Sequence, residues 1–212
     1  MIKHVIYTQI DSKTGVPATQ SPMRNGPAMP VGIDYAYALE SQYPTSEPIF
    51  YGTTDRDDLP DWIEVITQEQ FDADKAAEMQ ARHEKLLKQS EDQAASVRYR
   101  IETGGIALSN GANIMTATDD QNRISSAYSS LQNNLVTEID FKGADGWSKM
   151  TINELEPIAR AVVEHVSIYC FGAERDVCEQ LAEMDYAALQ TADIEQRFND
   201  AYDARKLAHE QL

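Results

Sequence analysis

Between Val97 and Phe171 the apolar residues recur with two different periods, and the switches from one period to the other mark out four elements. Ile106 and Leu108 alternate with small residues, as do Ile114 and Thr116 beyond Ser109-Asn110-Gly111-Ala112, which predicts a hairpin. Asn110-Gly111 supplies the positive φ angles that a tight two-residue turn needs. Ile124, Ala127, Tyr128 and Leu131 then follow at helical spacing. Thr118 is the expected N-cap, with Asp119 and Asp120 at the positive end of the helix.

A second hairpin follows, turning at Gly143-Ala144-Asp145-Gly146. It sets Val136, Glu138, Asp140, Trp147, Lys149 and Thr151 on one face and Leu135, Thr137, Ile139 and Phe141 on the other. Thr151 and Glu154 have the spacing of a capping box. Behind it Ile152, Leu155, Ile158, Ala159, Val162, Val163, Val166, Tyr169 and Cys170 keep a three-four rhythm over about five turns. Pro157 sits near the first turn, where a missing N–H costs least. Burying one Val or Ile is worth roughly 1.5–3 kcal/mol, so this stripe is the main expected source of stability. The expected core is therefore Ile158, Val162, Val163, Val166 and Tyr169, with Trp147 as a core or interface anchor.

The flanks differ. Residues 1–60 hold Pro17, Pro22, Pro27, Pro30, Pro44, Pro48 and Pro60, which forbids long helices, yet they are rich in large apolar side chains. A first strand over Ile2–Gln9 is expected, then extended and turn structure, with strands near Pro48–Gly52 and Trp62–Ile66. Tyrosine-rich extended segments suit interfaces, so Ile2, Val5, Tyr7, Tyr35, Tyr37 and Tyr51 are the candidate docking residues. Thr67 is the expected cap of a helix that runs on through 72–103 without Gly or Pro, as a solvated connector. After Gly172 more helix is expected, folding back on the core helix as an antiparallel hairpin. The reading is an α+β chain with an N-terminal β/extended docking module (1–71), a helical linker (72–103) and a C-terminal domain of two hairpins on amphipathic helices (104–212).

The Thr-Asp-Asp after the first hairpin, the Trp-containing hairpin, and Thr-x-x-Glu leading into Ala-Val-Val-x-His-Val-x-x-Tyr-Cys-Phe resemble a domain of unknown function. That domain is found near the C-termini of bacteriophage tail and tail-fibre-associated proteins, and the resemblance covers roughly residues 97–175. It implies a virion or assembly role and brings no catalytic residues with it. By analogy with tail fibres it also implies a trimer, with other tail or fibre subunits as partners and the virion, assembled in the host cytoplasm, as the location.

Composition narrows the classes further. A net charge of -17 argues against nucleic acid and anionic membrane surfaces as partners and steers the chain towards basic ones. A mean hydropathy of -0.48 fits a soluble protein, and no run approaches the roughly 18 apolar residues of a membrane span. Cys170 and Cys178 lie on one helix, too far apart to bond. No enzyme, cofactor or metal is expected. His165 reads as a hydrogen-bonded structural histidine, and His4, His83 and His209 lack zinc-ligand spacing. Asp55-Arg56-Asp57-Asp58 lacks the Gly and closing Glu of a calcium loop, and Asp119-Asp120 reads as helix-end charge. Three functions remain: a structural tail protein, which is favoured, a fibre-assembly chaperone, and a receptor- or glycan-binding or glycan-cleaving module, for which Trp147 beside its turn is left open as a stacking platform.

Overall fold

The computed structural model describes residues 1–8, 30–39, 49–143 and 146–211. It is an α+β chain with small antiparallel sheets. Its contacts divide it into two units, Met1–Leu86 and Leu87–Leu212.

The N-terminal unit is built on β1 (Lys3–Thr8), β2 (Asp34–Ala38), β3 (Ile49–Thr54) and β4 (Glu64–Ile66), which form one antiparallel sheet in the order β2-β3-β1-β4. Val5 stands opposite Gly52 and Tyr7 opposite Phe50, so their side chains share a face. There they pack with Ile33, Ala38 and Ile63. The alternate positions face the first turns of α1 (Gln68–Glu102), where Tyr37, Tyr51, Ile66 and Phe71 make a second cluster. Gln70 N donates to the Thr67 hydroxyl at 3.1 Å, as expected of a cap. A bulge between Tyr35 and Tyr37 shifts the register of β2. Tyr35 thus stands opposite Gly52 while Tyr37 stands opposite Tyr51 and stacks on its ring at 4.4 Å.

The C-terminal unit begins in the second half of α1. Then come β5 (Ile106–Ala107), β6 (Asn113–Ile114), α2 (Thr118–Gln132), β7 (Ile139–Gly143), β8 (Gly146–Met150) and α3 (Ile152–Val163). A π-helical segment, Glu164–Cys170, leads without a break into α4 (Phe171–Ala182), followed by α5 (Tyr186–Gln190) and α6 (Ile194–Glu210). α2 lies against α3, and their core is Ile114, Ile124, Leu131, Leu155, Ile158, Ala159 and Val162. α6 returns antiparallel along α4: Arg205 reaches Asp176 and Arg197 reaches Gln180. The seam between them buries Val177, Leu181, Ile194 and Phe198.

Several expectations are corrected. The first hairpin closes through three residues: Leu108 N bonds Ala112 O at 2.8 Å and Gly111 N bonds Leu108 O at 2.9 Å. Gly111, at φ 86°, takes the left-handed position that follows such a turn. The cap of α2 is Ala117, with Thr118 already inside the helix. The second hairpin keeps the expected facing from Ile139 on, with Asp140 opposite Lys149, but Leu135, Val136, Thr137 and Glu138 precede its strand; Ala144 and Asp145 of its turn lie outside the described residues. Gln9, Pro17, Pro22, Pro27, Pro44 and Pro48 lie outside them as well.

Val163 is 58% exposed and Trp147 is 72% exposed, so neither is core. In α3 the buried positions are 155, 158, 159 and 162, and Val163 lies about 100° further round the helix. A wider π turn follows, in which Tyr169 and Cys170 of the expected stripe are buried together with His165. α1 is also more than a connector. Its first turns cover the N-terminal sheet, and its second half buries Ser90, Ala94, Val97 and Glu102.

Candidate functional site

The expected docking residues divide sharply. Val5, Tyr7, Tyr37 and Tyr51 are buried in the N-terminal unit's own sheet, because strand alternation and the bulge point their rings at its two packed faces. The hydroxyls of Tyr37 and Tyr51 are engaged too, donating to Phe71 O at 3.0 Å and to an Asp74 carboxylate oxygen at 2.9 Å. Burial pushes the Tyr7 phenol up to about 12, with the nearby Tyr35 adding to the shift. Only Ile2 and Tyr35 of the six remain exposed. Rings committed to an intramolecular core are not free to lie on a partner.

In the C-terminal unit polar chemistry collects where α1 ends against the π segment. The Thr116 hydroxyl, fully buried, donates to Glu102 O at 2.5 Å and accepts from Gly105 N at 2.9 Å. The buried Glu102 carboxylate is held by the Arg98 guanidinium and by the Gln121 amide at 3.0 Å. Arg98 also pairs with Glu174 at 2.6 Å and lies 4.5 Å from the centre of the Phe171 ring. His165 faces the carbonyls of Ile101 and Glu102 with Nε2, at 3.2 and 3.3 Å, so that nitrogen carries the proton. Nδ1 then accepts from the Tyr202 hydroxyl at 2.8 Å.

Desolvation holds the His165 pKa below its ordinary value, against the opposing pull of the two carbonyls. It also pushes the Tyr202 phenol and the Cys170 thiol up to about 12. A thiol kept protonated in this way is a poor nucleophile. The network ties six segments together: the end of α1, the first hairpin, α2, the π segment, α4 and α6. Cys170 and Cys178 are both free. Among the described residues no group of three His, Cys, Asp or Glu side chains converges on a metal-sized point, and no helix is long and apolar enough to cross a membrane.

A second feature lies on the other side of α2. A cleft of about 660 Å³ opens between α2, β6 and the β7–β8 hairpin. Its floor is apolar, from Ile114, Ile124, Ala127, Ile139 and Phe141. Trp147 and Met115, 72% and 55% exposed, stand at its mouth. Arg123, paired with Asp120, and Lys142, 5.6 Å from the centre of the Trp147 ring, share the rim with Asp140. Lys149 gives its amine to Glu138 rather than to Asp140 across the hairpin. Met115 carried no functional weight in the sequence, yet its place between the inward-facing Ile114 and Thr116 already turned it outward.

The sequence model of a family described as a domain of unknown function, DUF4376, matches residues 85–196. The chain belongs to this family. No curated protein and no solved structure matches it. The DUF4376 span opens within α1 and ends in α6, so it takes in the cleft and all of the His165 network except Tyr202. The N-terminal sheet lies outside it.

Proposed function

We propose that this protein is a structural component of a phage tail or tail fibre that works by docking to other proteins, and that the DUF4376 unit carries the docking surface. The observation that carries this reading is the pairing of Trp147 and Met115, both exposed, at the mouth of an apolar cleft. Large apolar side chains left in water beside a concave apolar surface mark interaction sites, and Trp is the side chain most enriched where binding energy concentrates. The resemblance over residues 97–175 supplies the phage tail as the setting. The buried His165 network supports a rigid body behind the surface, since Thr116, Glu102, His165 and Tyr202 meet hydrogen-bond partners inside it.

Purified virions analysed by mass spectrometry test the proposal. Peptides of this chain at constant stoichiometry with the tail proteins are the expected result. Their absence from particles, with the chain abundant in the infected cell, would instead make it an assembly factor.

A further inference from the structure

We infer that the cleft between α2 and the β7–β8 hairpin binds a short peptide segment of a partner protein, one with a large apolar side chain beside a basic residue. The inference rests on the docking reading above but not on which particle the partner belongs to. Three observations choose this occupant. A volume of about 660 Å³ is within the usual range for bound ligands, and it admits a pair of side chains rather than a whole domain face. The floor belongs to the unit's fixed core, since Ile114 and Ile124 are buried on β6 and α2, so the cleft is preformed. The mouth combines one rigid ring, Trp147, with one adaptable side chain, Met115, a pairing that accepts a range of apolar anchors.

Charge sets the flanking residue. The chain carries 35 acidic and 18 basic side chains, so a basic partner is drawn towards it. At the rim, Arg123 is already paired with Asp120, and Lys142 lies against the Trp147 ring. The exposed Asp140 carboxylate adds to that pull at the rim, since the cross-strand Lys149 gives its hydrogen bond to Glu138 and meets Asp140 through its charge alone. A saccharide fits less well. Its hydroxyls need polar groups within the cleft, whereas here the more buried lining, Ile114, Ile124, Ala127, Ile139 and Phe141, is apolar and the charged Arg123, Asp140 and Lys142 are exposed.

The test is a selection of yeast-displayed random peptides on the full-length chain, followed by titration of the enriched consensus peptide. Enriched sequences are expected to share an aromatic or long aliphatic residue next to Lys or Arg. Trp147→Ser should weaken the consensus peptide about tenfold or more, as loss of a central aromatic anchor does. Asp140→Lys should weaken it several-fold and flatten its salt dependence. Tyr99→Ser, removing another exposed ring, from α1, should change nothing. All three sites are exposed, and unchanged melting curves would show that each variant still folds.

No enrichment, a consensus without an apolar anchor, or indifference to Trp147→Ser would each overturn the inference. So would a panel of oligosaccharides that quenches Trp147 fluorescence where the peptides do not. If the selection fails while the chain remains a constant part of purified virions, the cleft is wrong and the docking reading stands. If peptides bind as expected but virions lack the chain, the cleft stands and the tail assignment falls.

Discussion

At the scale of single residues, one position separates the regular-helix reading from the structure. Val162 and Val163 are chemically identical neighbours, yet Val162 is buried and Val163 is 58% exposed. Val162→Asp places an unpaired charge against Leu155 and Ile158 and should cost more than about 3 kcal/mol or unfold the unit. Val163→Asp should stay within about 0.5 kcal/mol. Thermal melts of the two variants decide it, and equal shifts would mean the face has been misassigned.

His165 gives a second test at this scale. Its folded pKa lies below the ordinary value, so the unfolded chain takes up the proton first as pH falls. The stability it contributes is therefore complete above an unfolded pKa of about 6.5 and is lost progressively as pH drops from there towards the lower folded value. Urea midpoints between about pH 7 and 5 should fall more steeply for the native chain than for His165→Gln. Parallel slopes would count against a buried neutral histidine.

At the scale of elements, β3 has a position that admits only glycine. A Cβ on Gly52 would lie 2.6 Å from Ile33 Cγ2 and 2.7 Å from Asp34 O. The methyl could move aside, but the carbonyl belongs to the backbone of β2, so Gly52→Ala must displace a strand. A loss of about 1–3 kcal/mol is expected in the N-terminal unit. Gly143→Ala, whose nearest neighbour would be 3.9 Å away, should cost less than half as much. Hydrogen exchange at the β2 and β3 amides checks this.

Most elements were legible in the sequence because local chemistry dictates them. The Thr67 cap, the facing of Asp140 and Lys149, and Glu154 accepting from Thr151 N at 2.8 Å are each set within a few residues. What could not be read depends on partners distant in the chain. The π turn serves a histidine that must reach the carbonyls of Ile101 and Glu102, 64 and 63 residues earlier. Tyr7, Tyr37 and Tyr51 were expected at a docking surface because alternation alone does not reveal that both faces of a sheet are covered.

At the scale of the molecule, the boundary between units runs through α1 rather than at either of its ends. A fragment of residues 87–212 keeps Ser90, Ala94, Val97 and the Arg98–Glu102 pair, and it should melt cooperatively. A fragment of residues 104–212 loses these and leaves Thr116 and His165 without their carbonyl partners. It should lack a cooperative transition. Circular dichroism melts distinguish the two.

On the proposed function, docking belongs to the DUF4376 unit and not to the tyrosines of the N-terminal sheet. The most direct measurement is the copy number of Trp147→Ser and Tyr35→Ser variants in purified virions, by quantitative mass spectrometry against a tail protein. Both side chains are exposed, at 72% and 44%, so either change should leave the fold intact. Particles depleted of the Trp147→Ser chain but carrying the Tyr35→Ser chain at the native level are the expected result. Depletion of the Tyr35→Ser chain with the Trp147→Ser chain at full occupancy would contradict the account and return docking to the N-terminal sheet.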